Sequence, residues 1–194
     1  MDKYSYGLGL GIAQNLISMG ADDLNIDDFA QALKDIFAGN TPAMSFAEAQ
    51  EIVTAHFEEI QKKAAAAAIE QGEMFLKMNK ERPGVITTAS GLQYQVLKHG
   101  EGRRPKATDK VRCHYEGRLV DGTLFDSSIE RGEPAVFGVN QVIPGWVEAL
   151  QLMCEGDKWK IFLPYQLGYG EQGAGQAIPP YSTLVFEVEL LNVL

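Results

Sequence analysis

From Phe46 to Arg82 the chain carries no proline, and that stretch constrains its architecture more than any other feature. Ser45 and Glu48 open it as an S-x-x-E capping box, in which the serine side chain accepts a backbone N–H of the first turn. Phe46, Ala49, Val53, Phe57, Ile60 and Ala64 then recur at alternating spacings of three and four, the period of one helix face. One helix is expected from about residue 46 to about residue 80. At ~1.5 Å per residue it is a rod of roughly 50 Å. A helix of that length outruns any core that about 80 residues can build around it. Much of it must lie exposed or against a partner.

Everything before Pro83-Gly84 reads as helix, which sets the expected domain boundary: 1–83 helical, 84–194 a second domain. Leu8, Ile12, Leu16 and Met19 share a face in a first segment, Tyr4 to Met19. Asn25 and Asp28 open a second, which carries Phe29, Leu33, Ile36 and Phe37 and is closed by Gly39. The first segment also contains Gly7, Gly9 and Gly11, and a glycine costs a helix interior about 1 kcal/mol relative to alanine. Glycines there suggest close approach of another backbone. Three helical stretches without a sheet also make a thin core, so a homodimer formed through this half is expected.

The net charge of −9 over 194 residues argues against nucleic acid or an anionic membrane surface as the main partner. Lys98, Arg103, Arg104, Lys106 and Lys110 form a local basic cluster, but no aromatic residue is interleaved for base stacking. It reads as a solvated loop. No apolar run approaches membrane-spanning length. Two cysteines, Cys113 and Cys154, are too few for a disulfide framework and fit a reducing compartment. A cytoplasmic location is expected, or a periplasmic one if a leader has been removed.

After Pro83 the period changes to two. Leu92, Tyr94 and Val96 alternate with glutamines, and Val111, Cys113 and Tyr115 with Arg112, His114 and Glu116. Trp159, Ile161 and Leu163 alternate with lysines, and Leu184, Phe186, Val188 and Leu190 with Glu187 and Glu189. Four strands with one polar face each, joined by turns such as Val120-Asp121-Gly122-Thr123, predict a mainly antiparallel sheet. The one helix signal in this half is VIPGWVEAL, residues 142–150: the Ile-Pro-Gly bend stops a strand, and Trp146, Val147, Leu150 and Met153 follow at helical spacing. That single short helix must cover the apolar face of the sheet, giving an α+β domain.

Several motifs fall on inspection. Gly168 to Gly173 spells G-x-G-x-x-G, but a dinucleotide fingerprint needs a helix to follow it. Pro179 and Pro180 occupy the short interval before the next strand, and a parallel crossover needs about a dozen residues or more. His56, His99 and His114 lie on a helix, a strand end and a polar strand face, with no ligand or nucleophile spacing, and read as surface histidines. Cys113 shares the inward face with Tyr115 and reads as buried and inert. Ser127-Ser128 follow Asp126 without a histidine base at readable spacing and read as turn residues. Nothing suggests metal, covalent or phosphoryl-transfer chemistry, and no cofactor is expected.

What accumulates instead is aromatic and apolar residues beside turns. VRCHYEGRLVDGTLFDSS, GEPAVFGVNQVIPGWVEAL, GDKWKIFLPYQLGYG and IPPYSTLVFEVELL resemble, in order and spacing, the FKBP-type peptidyl-prolyl isomerases. The resemblance covers about residues 92 to 194. The N-terminal half resembles the helical dimerisation region of the macrophage infectivity potentiator-like bacterial branch. It implies an antiparallel sheet wrapped on one short helix, isomerase activity on proline-containing polypeptides with chaperone activity, and inhibition by FK506- and rapamycin-type macrolides. On this resemblance Trp146 is the pocket floor, and Tyr115, Phe125, Val142, Ile143 and Phe186 are walls. Tyr169 turns its hydroxyl toward ligand, the Ile143 N–H donates to the ligand carbonyl, and Asp126 and Arg131 pair on the rim. Phe137 and Ile178 complete the substrate-binding set. Ala135 and Ala174 depart from the aromatic residue and the histidine that some members carry, which bears on substrate preference and inhibitor affinity. A non-catalytic chaperone or proline-binding module would use the same surface, and the residues alone do not separate the two readings.

Overall fold

Each of the first three helices begins where a short polar side chain can take amides that have no partner inside the helix. The computed structural model describes residues 1–194. In α1, Lys3–Ser18, Asp2 accepts the Ser5 N–H at 2.7 Å. In α2, Ile26–Ala38, Asn25 accepts from Asp27 and Asp28, and Gly39 closes the helix in the left-handed region at φ 70°. In α3, Phe46–Asn79, Ser45 Oγ accepts the Glu48 N–H at 3.2 Å. All three follow the boundaries expected from capping and period.

The chain forms two compact units, residues 1–64 and 65–194, and α3 runs through the division. In the first unit neither α1 nor α2 has a buried residue. Ala21 alone is buried among its apolar residues, and Gly20 lies against Ile60. A Cβ added at Gly7, Gly9 or Gly11 would meet nothing within 4 Å. Leu8, Leu10, Ile12, Ile36, Phe37 and Phe46 stand exposed, Phe37 at 88%.

The second unit is built on an antiparallel sheet: β1 Val85–Thr87, β2 Gln93–Lys98, β3 Lys110–Leu119, β4 Leu124–Ser127, β5 Ala135–Gly138, β6 Lys158–Leu163 and β7 Leu184–Val193. The strand order is β1-β2-β6-β7-β3-β4, with β5 also paired to β3. α4, Pro144–Leu152, covers one face, with Pro144 at its first position, where a missing N–H costs nothing. Its Trp146, Ala149 and Leu150 pack on Val111, Cys113, Ile161, Phe186, Val188 and Leu190. β3 turns into β4 through Gly122 at φ 91°, with the Leu119 N–H donating to the Thr123 carbonyl at 2.9 Å. The segment Gly168–Gly173 is followed by a loop and no helix.

β1, β4 and β5 were not expected; at three or four residues each they are too short to display a period. The opposite face of the sheet is also not uniformly polar. Gln93 and Phe162 are cross-strand partners on that face and both are buried. The last part of α3 covers them: the Phe75 and Phe162 rings lie 6.0 Å apart, and Asn79 Nδ2 donates to Gln93 Oε1 at 2.8 Å. Gln93 Nε2 in turn donates to the Leu76 carbonyl at 2.9 Å.

Candidate active site

The bend at Ile143-Pro144-Gly145 delivers Trp146 to the first turn of α4, facing the sheet. Gly145 is required there, since a Cβ would lie 2.5 Å from Leu163. Trp146 is 4% exposed, and three rings meet its indole edge to face: Tyr115 of β3 at 5.2 Å, Phe186 of β7 at 5.3 Å and Phe137 of β5 at 5.4 Å. Phe125 of β4 stands against Phe186 at 5.5 Å and 87°. Gly117 makes room for that pair, because its Cβ would come within 2.7 Å of both rings.

These rings wall a pocket of about 470 Å³. Val142 and Ile143 close one side where the chain enters α4, and the loop after β6 closes another with Tyr169, Ala174, Ala177 and Ile178. That loop is braced by reciprocal backbone hydrogen bonds between Ala174 and Ile178, of 2.9 and 3.1 Å. The Ile143 N–H is not taken by any backbone carbonyl, and the buried Trp146 Nε1 has no hydrogen-bond partner.

The charged groups stand at the rim. Tyr115 Oη donates to Asp126 Oδ2 at 2.6 Å, and Arg131 donates to both Tyr115 Oη, at 3.0 Å, and Asp126 Oδ1. The Arg131 guanidinium also lies over the Tyr115 ring, 5.6 Å from its centroid. Burial raises the Tyr115 pKa, helped by its hydrogen bond to the Asp126 carboxylate. Burial alone would raise Asp126 too, but the hydrogen bonds from Tyr115 and Arg131 and the arginine charge outweigh it, leaving the carboxyl below its usual value. Burial and the nearby Asp126 charge raise Tyr169. At neutral pH the rim is a neutral phenol pair around one ion pair.

The structure thus brings together Tyr115, Phe125, Asp126, Phe137, Val142, Ile143, Trp146, Tyr169, Ile178 and Phe186 as pocket lining. Arg131 stands behind the rim and orients it from outside. Gln141 and Ala177 also line the pocket and were not singled out by sequence. Ala135 is absent from the lining, whereas Ala174 belongs to it.

Ser127 and His114 depart from expectation, Ser127 as the last residue of β4 and His114 as a half-buried side chain. Ser128 is a turn residue as expected but a fully buried one, and His114 Nδ1 lies 3.0 Å from its Oγ. That Oγ accepts the Tyr115 N–H at 2.8 Å and the Ser128 N–H donates to the Tyr115 carbonyl at 3.0 Å, so the serine fixes Tyr115 and is closed to substrate. Cys113 is buried, and desolvation pushes its thiol up to about 12.

An antiparallel sheet on a single short helix, with an indole-floored pocket between them, defines a class that the comparisons identify. Residues 101–191 match the FKBP-type peptidyl-prolyl cis-trans isomerase family, and residues 1–96 match the domain amino terminal to such isomerases. The chain belongs to this family and is a peptidyl-prolyl cis-trans isomerase. It is 47% identical over 197 residues to the FKBP-type 22 kDa peptidyl-prolyl cis-trans isomerase of Escherichia coli K12, covering 98% of this chain and 94% of the relative. It is 37% identical to the outer membrane protein MIP of Legionella longbeachae, with 99% and 85% covered. The crystal structure of FkpA from Escherichia coli superposes with a TM-score of 0.80 at 35% identity, covering 98% of this chain and 95% of that one.

Proposed function

We propose that this pocket holds the proline ring of a polypeptide on Trp146 while the preceding peptide bond turns at the rim. The observation that carries the reading is the division of the site: an aromatic floor centred on Trp146 with the charged groups at its edge. Rotation about an Xaa-Pro bond needs no nucleophile and no net proton transfer, only loss of amide resonance across a barrier of about 18–20 kcal/mol. The planar amide is more dipolar than its twisted form. A dry pocket therefore raises the planar state relative to the transition state. The ring seated between Trp146, Phe186 and Ile143 fixes one side of the bond. The Ile143 N–H and the Tyr169 hydroxyl supply donors to the carbonyl groups flanking it, and each ~1.4 kcal/mol gained selectively in the twisted state is tenfold in rate.

The Tyr115–Asp126–Arg131 group fixes the rim beside the turning bond, with both Asp126 oxygens accepting hydrogen bonds within the group. An FK506- or rapamycin-type macrolide competes for the same floor. The test is acceleration of cis-to-trans conversion in a short Xaa-Pro peptide, measured with and without the macrolide. The rate enhancement should vanish at saturation, with a change in tryptophan fluorescence. Undiminished catalysis by macrolide-saturated protein would separate the catalytic surface from this pocket.

Around this activity we infer a homodimer with chaperone activity toward unfolded clients, with the dimer contacts lying within residues 1–83 and catalysis within residues 84–194. Support comes from the apolar side chains that the first unit leaves uncovered. The two cysteines are both free, which favours a cytoplasmic location. No helix is long and apolar enough to cross a membrane. The Legionella relative carries an outer-membrane name. Recovery of this chain in the periplasmic fraction would overturn the cytoplasmic reading.

A further inference from the structure

A second cavity, of about 320 Å³, adjoins the isomerase pocket, and Phe125 and Asp126 form the wall common to both. Leu124, Ser127, Glu130 and Arg131 complete it. It therefore follows β4, which is the last strand of the sheet and leaves one backbone edge without a partner strand. A polypeptide whose proline ring occupies the first cavity has its neighbouring residues within reach of the second. An extended segment laid beside a free strand edge is a common way for a sheet to hold a peptide.

The charges of the groove are not balanced. Arg131 is already committed, donating to Asp126 and to the Tyr115 hydroxyl. Glu130 carries the other charge and makes no ion pair. Its position is fixed by its own backbone, whose N–H donates to Ser127 Oγ at 3.1 Å. One arginine against Asp126 and Glu130 leaves a single uncompensated carboxylate on the wall of a polar groove.

We propose that this groove is a substrate subsite, selective for a polypeptide with a lysine or arginine side chain close to its proline, and that Glu130 is the residue that sets the selection. The subsite rests on the assignment of the proline ring to the Trp146 pocket. An acidic side chain would have to take Arg131 from two partners it already holds, so the groove discriminates between the two signs of charge.

The experiment uses the full chain and peptides with one Ala-Pro pair, in which Lys, Ala or Glu is placed singly at each of the two positions before and after that pair. At one position or more, kcat/KM should run Lys above Ala above Glu, by roughly two- to fivefold per step at low salt, the size an exposed charge pair delivers. Half-molar salt should flatten the series. Glu130→Gln should bring the Lys and Ala peptides together, and Glu130→Lys should invert the order, while all three proteins turn over the all-Ala peptide equally. Equal rates for Lys, Ala and Glu at every position overturn the proposal, as does a preference that survives Glu130→Gln. Turnover of the all-Ala peptide checks the pocket itself. Preference lost with turnover intact removes the subsite alone, and turnover lost in the parent removes both.

Discussion

Asp126 is the one carboxylate that touches the pocket, and its two hydrogen-bond donors determine how it responds to substitution and to pH. Its side chain is 40% exposed and that of Arg131 47%, so solvent screens the pair and its contribution to stability stays under about 1 kcal/mol. Asp126→Ala should therefore leave the melting temperature within a few degrees of the parent while lowering kcat/KM roughly three- to tenfold, because Tyr115 and Arg131 lose their common acceptor. Tyr169→Phe removes one hydroxyl and should cost roughly fivefold. Two folded variants as active as the parent would dismiss the polar rim. The pH dependence has a definite sign. The folded carboxyl has a pKa below its unfolded value, so its stabilisation is present above the ordinary carboxylate range and fades as pH falls through the folded pKa. The gap in melting temperature between parent and Asp126→Ala should hold from neutral pH down to about pH 5 and close on further acidification. A gap that widens in acid would contradict the assignment. At this scale Trp146 was legible, because a Pro-Gly bend before a helical period places one side chain firmly. Gln141 and Ala177 were not, since a glutamine in a single 3-10 turn and an alanine in a loop carry no periodicity and no distinctive chemistry. The part Ser128 plays in fixing Tyr115 was not legible, because its partners Tyr115 and His114 lie on β3 rather than beside it along the chain.

Among the elements, the helices could be read from their caps and the long strands from alternation, whereas β4, which carries Phe125 and Asp126 into the site, could not. Its assignment depends on pairing with β3, Gly117 opposite Asp126, and pairing is a property of the folded chain. The docking of the last part of α3 was equally hidden, although Gly72 marks it. A Cβ at Gly72 would lie 2.2 Å from Thr183 Oγ1 and 3.1 Å from Thr183 Cβ, at the start of β7. Thr183 is 5% exposed and has little space to withdraw. Gly72→Ala gains up to about 1 kcal/mol of helix propensity but overpacks a closed contact, which costs about 1–3 kcal/mol. The net expected effect is a lower melting temperature. In a Thr183→Ala background the obstructing hydroxyl is gone, and the same Gly72→Ala change should become neutral or stabilising. A thermal-melt double-mutant cycle reads this directly, and additive effects would show that the helix does not sit on Thr183 as described.

At the scale of the whole molecule, the first unit poses a question of area. Between α2 and the start of α3 it has a cavity of about 470 Å³ lined by Ala32, Ile36, Pro42, Met44, Phe46 and Ala49, with Phe46 itself 79% exposed. Apolar surface of this extent is unusual on a monomer, and a two-fold pairing of identical units is the commonest way to remove it from water. The first segment's Gly7, Gly9 and Gly11 leave a helix surface with open space above it, as a second chain would need. For separating the halves, a cut at Ala65 is better than one at Gly84. Phe75 rests on Phe162 and Asn79 is bonded to Gln93, so a cut at Gly84 would uncover the back of the sheet. Light scattering should give twice the chain mass for residues 1–194 and the single mass for residues 65–194. Per pocket, both should isomerise a short Xaa-Pro peptide at the same rate, since that reaction occupies one site. On a refolding protein limited by proline isomerisation the full chain should be faster, because a second contact raises the local concentration of client at the pocket. A monomeric full-length chain would end the dimer proposal. Equal refolding rates per pocket would confine the first unit to assembly and remove its part in holding clients.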